Sequence, residues 1–163
     1  MRDEKLYITP RGAMWYSCAM GQSYEFDKSF SLKNPDGKFT VLYFYPRDNT
    51  PGCTTEAIDF TKKAAQFRKL GARVIGVSQD SLASHEKFRA RHDLGIDLLS
   101  DEKGALCDRF GVIQEKSLYG RKFRGIVRST YVLDKSGKPL REWTKVKVAG
   151  HVDEVLAFLK EQT

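Results

Sequence analysis

The alternation of short apolar runs with a helical segment limits the folds open to this chain more than any other feature of its sequence. Residues 41–45, VLYFY, are β-branched and aromatic and end at a proline, which predicts a buried strand. Residues 72–78, ARVIGVS, predict a second strand of the same kind. A helical segment separates the two runs, so this part of the chain predicts a βαβ unit.

Two segments have the features of helices. In residues 54–71 the apolar side chains recur at spacings of three and four: Ala57, Phe60, Ala64 and Phe67. Gly71 then stands where the C′ glycine of a helix belongs. Residues 81–93, SLASHEKFRARHD, predict a second helix with Ser81 as its N-cap.

The C-terminal part of the chain predicts two strands and two helices. GIVRSTYVLD (125–134) and PLREWTKV (139–146) are the strands, and DKSGK between them is a turn of the hairpin type. Residues 103–111 predict a short helix before them. The last helix carries its apolar residues on one face: Val152, Val155, Leu156 and Leu159.

This order of elements predicts the fold class. A βαβ unit followed by a hairpin and a helix indicates an α/β protein with a thioredoxin-like fold, in which helices flank both faces of a central mixed β-sheet. The 163 residues and the 40% apolar content suit a single domain over residues 1–163. The first 40 residues have no clear period, and only NPDG (34–37) is legible there, as a turn.

Composition argues against several classes of protein. The N-terminal MRDEK is charged and precedes no apolar h-region, and no stretch approaches the ~18 consecutive apolar residues of a membrane span. We therefore expect a soluble, cytoplasmic protein without a membrane partner. The three cysteines form no CxxC and no zinc-finger spacing with histidine, which argues against a disulfide scaffold or a structural metal. No cofactor is predicted.

The net charge of +7 is compatible with an anionic partner. The densest basic segment is YGRKFRGIVR (119–128), and a solvated surface is the commoner explanation of such a run. RGIVRSTY (124–131) superficially resembles the RNP1 pattern of RNA-binding domains, but its four inner positions lack the required aromatic and small residues. It offers no stacking platform, so we predict no nucleic-acid partner.

Cys53 lies behind Thr-Pro-Gly, at the start of the first predicted helix. A thiol attacks as its thiolate, and a helix N-terminus stabilises an anion through unpaired N–H groups and a partial positive charge. Thr50 adds a hydroxyl three residues earlier, and Gly52 allows a close approach of the backbone. Cys53 is therefore a candidate nucleophile, whereas Cys18 and Cys107 are predicted to be ordinary packed thiols.

The sequence around Cys53, PRDNTPGC (46–53), resembles the PxxxTxxC active-site motif of the peroxiredoxins. Its setting, YFYPRDNTPGCTTEA, is similar to the peroxiredoxin Q, or bacterioferritin comigratory protein, branch. The similarity continues through LLSDEKGALCDRFGV, EKSLYGRKFRGIVRSTYVLDKSGK and the last helix, so it covers roughly Ser29 to the end. The resemblance implies an AhpC/TSA-like thiol peroxidase that reduces hydrogen peroxide and organic hydroperoxides through a cysteine sulfenic acid, with a role in antioxidant defence.

The resemblance also implies roles for individual residues. Cys53 is the peroxidatic nucleophile, the Thr50 hydroxyl holds the peroxide and Pro46 shields the pocket. Arg128 matches the active-site arginine of the family. Attack on an O–O bond builds negative charge on the departing oxygen, which a guanidinium, a hydroxyl and helix N–H groups can stabilise. Glu56 resembles a frequent family glutamate, and it either orients Arg128 through a bidentate pair or is an ordinary first-turn glutamate.

The sulfenic acid has to meet a thiol before further peroxide oxidises it irreversibly. Many peroxiredoxin Q proteins carry a resolving cysteine five residues after the nucleophile, where this chain has Ile58, or on the next helix, where SLASHEKFRARHD has none. Cys18, Cys107 and an external thiol remain. We expect the external thiol, from thioredoxin or another reductant, and a monomer or weak dimer. The N-terminal ITPRGAMWYSCAMGQSYEF also replaces the APxFxL stretch usual in the family.

A thiol–disulfide oxidoreductase and a metal site formed by histidines are less favoured by the sequence. Thioredoxin-like topology alone suggests a thiol–disulfide oxidoreductase, but that chemistry usually uses CxxC, and position 50 is threonine. The histidines, His85, His92 and His151, have no metal-ligating neighbours in the sequence, so we predict surface or packing roles for them.

Overall fold

The structure is a computed structural model that describes residues 6–8, 14–16, 21–27 and 30–163. Its strands are β1 (Leu6–Ile8), β2 (Met14–Tyr16), β3 (Ser23–Glu25), β4 (Phe39–Phe44), β5 (Ala72–Ser78), β6 (Asp97–Ser100), β7 (Ile113–Leu118), β8 (Arg121–Ile126), β9 (Ser129–Asp134) and β10 (Pro139–Trp143). Its helices are α1 (Pro51–Lys69), α2 (Leu82–His92), α3 (Ala105–Arg109) and α4 (His151–Glu161). Within these ranges, no helix has the length and apolar character that crossing a membrane requires.

A six-stranded mixed sheet forms the centre of the molecule, with the strand order β10-β9-β4-β5-β6-β3. The neighbours β4 and β5, β5 and β6, and β6 and β3 are parallel, whereas β9 is antiparallel to both β4 and β10. Two antiparallel pairs, β1 with β2 and β7 with β8, form separate small sheets. The predicted βαβ unit and mixed sheet are therefore confirmed.

Successive side chains of a strand point to opposite faces of the sheet, and β4 divides its residues between two apolar clusters accordingly. Val41 and Tyr43 belong to the first cluster, which α1, α4 and Phe88 of α2 cover. Leu42 and Phe44 belong to the second cluster, to which α3 contributes Leu106 and Cys107. Helices thus pack on both faces, which confirms the predicted α/β class.

Several local predictions are confirmed. Ser81 caps α2, since its hydroxyl accepts a hydrogen bond from the Ser84 N–H at 3.1 Å. Gly71 follows the end of α1 with a positive φ of 77°, a conformation that glycine adopts without strain. The turn at 34–37 is closed by a hydrogen bond from the Gly37 N–H to the Asn34 carbonyl at 3.1 Å. The first predicted strand begins two residues earlier than expected, at Phe39.

The predicted strand over 125–134 is wrong in its N-terminal part. Gly125 and Ile126 end β8, the chain leaves the sheet at 127–128, and β9 begins only at Ser129. β10 likewise ends at Trp143, three residues before the predicted end. Only β9 and β10 flank the predicted DKSGK hairpin turn, where the Gly137 N–H donates to the Asp134 carbonyl.

The hairpin of β7 and β8 was not predicted, because its strands, IQEKSL and RKFRGI, are mostly exposed and show no apolar alternation. Its turn is formed by Tyr119 and Gly120, which both have positive φ values, of 51° and 73°. β3 and β6 were also missed, because three or four residues are too few to show a period. The hairpin leads directly into Arg128, so it determines how that residue enters the site.

Candidate active site

Cys53 is the third residue of α1. The helix begins at Pro51, whose missing N–H would have had no partner in the first turn, and Thr50 is its N-cap residue with an extended backbone. The Thr54 N–H donates to the Thr50 carbonyl at 2.9 Å, which closes the first turn. The predicted position of Cys53 at a helix N-terminus is confirmed. Its side chain is 1% exposed and lies at the edge of the first apolar cluster.

Arg128 contacts the sulfur from the other side of the site. It lies between β8 and β9, and its Nη2 donates to the Cys53 Sγ at 3.2 Å, while its Nη1 donates to Glu56 Oε1 at 2.9 Å. Burial alone would lower the pKa of Arg128, but the charges of Glu56 and Cys53 outweigh it and raise that pKa. The guanidinium therefore remains a cation beside the sulfur and favours its thiolate form.

Glu56 lies on α1, three residues after Cys53, and its side chain is fully buried. Of the two alternatives for Glu56, the pair with Arg128 is present, but it is not bidentate, because one arm of the guanidinium contacts the sulfur and only one oxygen of Glu56 is engaged. The other oxygen, Oε2, has no hydrogen-bond partner. Burial raises the pKa of Glu56 to about 7, although the charge and hydrogen bond of Arg128 oppose this shift.

Replacing Glu56 by glutamine should flatten the pH dependence of stability between about pH 5 and 7. The folded protein keeps the Glu56 proton to a higher pH than the unfolded chain does, so this group makes the free energy of unfolding fall as pH rises from 4.5 towards 7. We expect a contribution of about 2–3 kcal/mol, to be measured by urea denaturation at several pH values. The exposed Glu86→Gln variant should retain the fall, and an equal fall in Glu56→Gln would contradict the assignment.

Pro46 and Thr50 lie in the loop that joins β4 to α1. Pro46 is exposed, and the Thr50 hydroxyl donates to the carbonyl of Arg47 at 2.9 Å. A β-carbon at Gly52 would lie 3.2 Å from Arg128 Nη2, so a larger residue there would press on the guanidinium beside the sulfur. The structure thus brings Cys53, Glu56 and Arg128 into contact and places Pro46 and Thr50 on the adjoining loop.

Sequence reasoning missed two charged residues near this site. Lys116 of β7 donates from Nζ to the Ile126 carbonyl, and burial lowers its pKa, as does the neighbouring Arg128 cation. Asp48, between Pro46 and Thr50, is 6% exposed. The signal that could have identified Asp48 was its place inside the PRDNTPGC motif, directly after the buried strand. A carboxylate that is buried at such a place needs specific hydrogen-bond partners.

The remaining cysteines and histidines lie outside this contact set. Cys107 is fully buried in the second apolar cluster, on the opposite face of the sheet from Cys53, and burial raises its pKa. This confirms its packing role, while Cys18 lies outside the described residues. His85 and His151 are buried, and burial lowers the pKa of His151 to about 4. No group of three metal-ligating side chains occurs in the ranges that the structure describes.

Comparison with known proteins identifies the family of this chain. The AhpC/TSA family profile matches residues 20–138. Peroxiredoxin Bcp of Xanthomonas campestris pv. campestris is 49% identical over 130 residues, which are 80% of this chain and 81% of the relative. Peroxiredoxin Bcp of Bacillus subtilis is 46% identical over 136 residues, 83% of this chain and 87% of the relative.

Solved structures agree with these relatives. A structure of the Xanthomonas campestris bacterioferritin comigratory protein, solved to study its alkyl peroxide reduction activity, has a TM-score of 0.74 at 49% identity and covers 77% of this chain and 80% of that chain. BcpB of Mycobacterium tuberculosis has a TM-score of 0.68 at 33% identity, over 78% and 81% of the two chains. The chain therefore belongs to the AhpC/TSA family, in its peroxiredoxin Q or Bcp branch, and has the thioredoxin-like fold of those proteins.

Proposed function

We propose that this protein reduces hydrogen peroxide and small organic hydroperoxides with electrons from a thiol, and that Cys53 is the attacking group. Membership of the family makes it a thiol peroxidase. The observation that carries the assignment to Cys53 is the 3.2 Å contact between its sulfur and Arg128 Nη2 at the start of α1. The nucleophile and the cation that stabilises it are already in place before substrate binds.

The reaction transfers two electrons from sulfur to the peroxide. The Cys53 thiolate attacks one oxygen, an S–O bond forms, the O–O bond breaks, and the other oxygen leaves as water or an alcohol after it takes up a proton. Arg128 can share its positive charge between the sulfur and the oxygens as charge moves from one to the other. Glu56 holds the guanidinium in this orientation through Nη1. Cys53 ends as a sulfenic acid.

Thr50 is proposed to position the peroxide through its hydroxyl, which both donates and accepts hydrogen bonds. In the structure this hydroxyl donates to Arg47, so it has to rotate towards the substrate or accept from it. Pro46 is proposed to shield the pocket from water on the exposed side of the loop.

Thr50→Ser should keep most of the activity, and Thr50→Val should lose roughly tenfold to a hundredfold of kcat/KM for peroxide, because valine keeps the shape and removes the hydroxyl. Steady-state assays with hydrogen peroxide and a small dithiol measure both variants. Equal activity of the two variants would contradict the role of the hydroxyl.

Regeneration of Cys53 is proposed to use an external thiol, in a one-cysteine cycle. Ile58 occupies the position at which many relatives carry a resolving cysteine, and Cys107 is buried on the other face of the sheet. The external thiol forms a mixed disulfide with Cys53, and a second thiol reduces it. A thioredoxin-type protein in the cytoplasm can supply both thiols. We propose that the enzyme acts as a monomer or weak dimer in antioxidant defence.

Mass spectrometry after one equivalent of peroxide tests both the nucleophile and the cycle. We expect one added oxygen on Cys53, which a sulfenic-acid reagent such as dimedone traps, and turnover with a small dithiol should persist in Cys107→Ala and in Cys18→Ser. A disulfide between Cys53 and Cys18 or Cys107, with loss of thioredoxin-dependent turnover in the matching variant, would contradict the one-cysteine cycle. Oxidation at another residue would contradict the role of Cys53.

A further inference from the structure

A buried polar cluster lies behind the loop that precedes α1. Its centre is the Asp48 carboxylate, whose Oδ1 accepts from the Tyr45 hydroxyl at 2.6 Å and whose Oδ2 accepts from the Ser84 hydroxyl at 2.8 Å. The Nδ1 of His85 lies 2.8 Å from the same Oδ2. The Asp48 N–H donates to Asp80 Oδ2, also at 2.8 Å. Hydrogen bonds thus fix both the side chain and the backbone of Asp48.

His85 contributes the imidazole ring of this cluster, and both of its nitrogens face acceptors. Nδ1 meets the Asp48 carboxylate, and Nε2 lies 3.2 Å from the Leu99 carbonyl, which can only accept. Both ring nitrogens are therefore held, one by a carboxylate and one by a backbone carbonyl. The side chains of His85 and Asp48 are 0% and 2% exposed. Removal of one member of such a buried pair is costly, because it leaves the other uncompensated.

Asp48 is the anchor of the loop over 46–49. Among the hydrogen bonds that the structure describes, those that join this loop to α2, to the segment after β5 and to Tyr45 all involve Asp48. The other described hydrogen bond made by these residues is local, from the Thr50 hydroxyl to the Arg47 carbonyl. Asn49 has a positive φ of 60°, so the backbone turns sharply just after the anchor. Thr50 and Cys53 follow two and five residues later.

We propose that His85 is a positioning residue for peroxide reduction. Through Asp48 it holds the loop that carries Pro46 and Thr50 in register with the N-terminus of α1, where Cys53 lies. The inference rests on the proposed function and adds to it a buried His85–Asp48 pair that links α2 to this loop. The expected effect comes from the position of the loop, because a displacement of about 1 Å in the groups around a reacting atom can cost about a hundredfold in rate.

The test compares two reactions of the same thiol. In His85→Gln the side chain can no longer donate to Asp48 and Leu99 together, so the second-order rate of Cys53 oxidation by hydrogen peroxide should fall about tenfold or more. The rate of Cys53 with a small disulfide reagent, dithiodipyridine, should stay within about twofold or rise, because this reaction uses no peroxide-binding loop. Asp48→Asn should give the same pattern, and the double variant should lose no more than the worse single variant, since the pair acts as a unit.

Controls separate positioning from loss of structure. Lys87→Gln removes one positive charge from an exposed position of the same helix and should leave both rates unchanged. All rates are measured well below the melting temperature of each variant. If His85→Gln does not fold, Ser84→Ala removes a single bond to the same carboxylate and should lower the peroxide rate alone, by about twofold to fivefold.

Three results would overturn the inference: a peroxide rate of His85→Gln within about twofold of the wild type, an equal fall of both reactions, or additive losses in the double variant. Failure of the proposed function looks different. In that case peroxide would leave Cys53 of the wild-type protein unoxidised, before any substitution at His85 is made.

Discussion

Cys53→Ser should reduce peroxide turnover to the rate of the thiol reductant alone. A serine hydroxyl is not ionised near neutral pH, so neither the helix N-terminus nor Arg128 can convert it into a nucleophile. Loss of the nucleophile in comparable enzymes costs at least about a thousandfold, and we expect a fall of that size or larger in kcat/KM for hydrogen peroxide. The assay follows peroxide consumption in the presence of a small dithiol.

Cys107→Ala is the matched control for this experiment. It removes a thiol that is buried as deeply as Cys53, but on the other face of the sheet, so it should keep the activity while losing some stability. Both variants are compared by thermal unfolding, to show that an inactive protein is also a folded one. Full peroxidase activity in Cys53→Ser would refute the proposed function.

Arg128→Ala should slow the reaction with peroxide by about a hundredfold to a thousandfold, the range seen when a preorganised donor to a developing anion is removed. The substitution removes the donor 3.2 Å from the sulfur and the cation that balances Glu56. Reaction of Cys53 with a small disulfide should slow much less, because no oxygen anion forms in that step. Rapid-mixing measurements of both reactions give the ratio.

A second substitution separates the chemical role of Arg128 from its structural role. Arg128→Ala leaves Glu56 buried without a counter-charge, which costs stability at neutral pH. The double variant Arg128→Ala with Glu56→Gln should recover stability and leave the peroxide rate low. If both reactions slow equally in Arg128→Ala, the guanidinium only stabilises the thiolate. If the double variant recovers the peroxide rate, the defect of the single variant was structural.

Local patterns in the sequence were sufficient for the features that depend on near neighbours. A helix start needs a residue such as Pro51 and an apolar period after it, and both lie within about one helix length, so the position of Cys53 in the first turn was predictable. The same holds for β5, for the Ser81 cap and for the apolar face of α4. The resemblance to peroxiredoxins added Arg128 as a candidate, without its geometry.

The short and polar elements were not predictable in this way. Most exposed side chains of strands β7 and β8 are polar or charged, and β3 and β6 are too short for a period, so no apolar pattern marked these strands. The sequence pattern predicted that Gly125 and Ile126 belong to the same strand as the residues after Ser129. The structure separates them, because Ile126 pairs with Ile113 in the hairpin.

The sequence by itself determined the α/β class and the place of a cysteine at the start of a helix, since both follow from interactions between residues close in the chain. Only the tertiary structure decided which groups reach that cysteine. Arg128 lies 75 residues away and meets Cys53 because β4 and β9 are neighbours in the sheet. Cys107 is kept from Cys53 because α3 and α1, which carry the two thiols, pack on opposite faces of the sheet. The same packing decides how Arg128 uses its two terminal nitrogens. The planar guanidinium directs Nη1 to one oxygen of Glu56 and Nη2 to the sulfur, because α1 presents both groups to it.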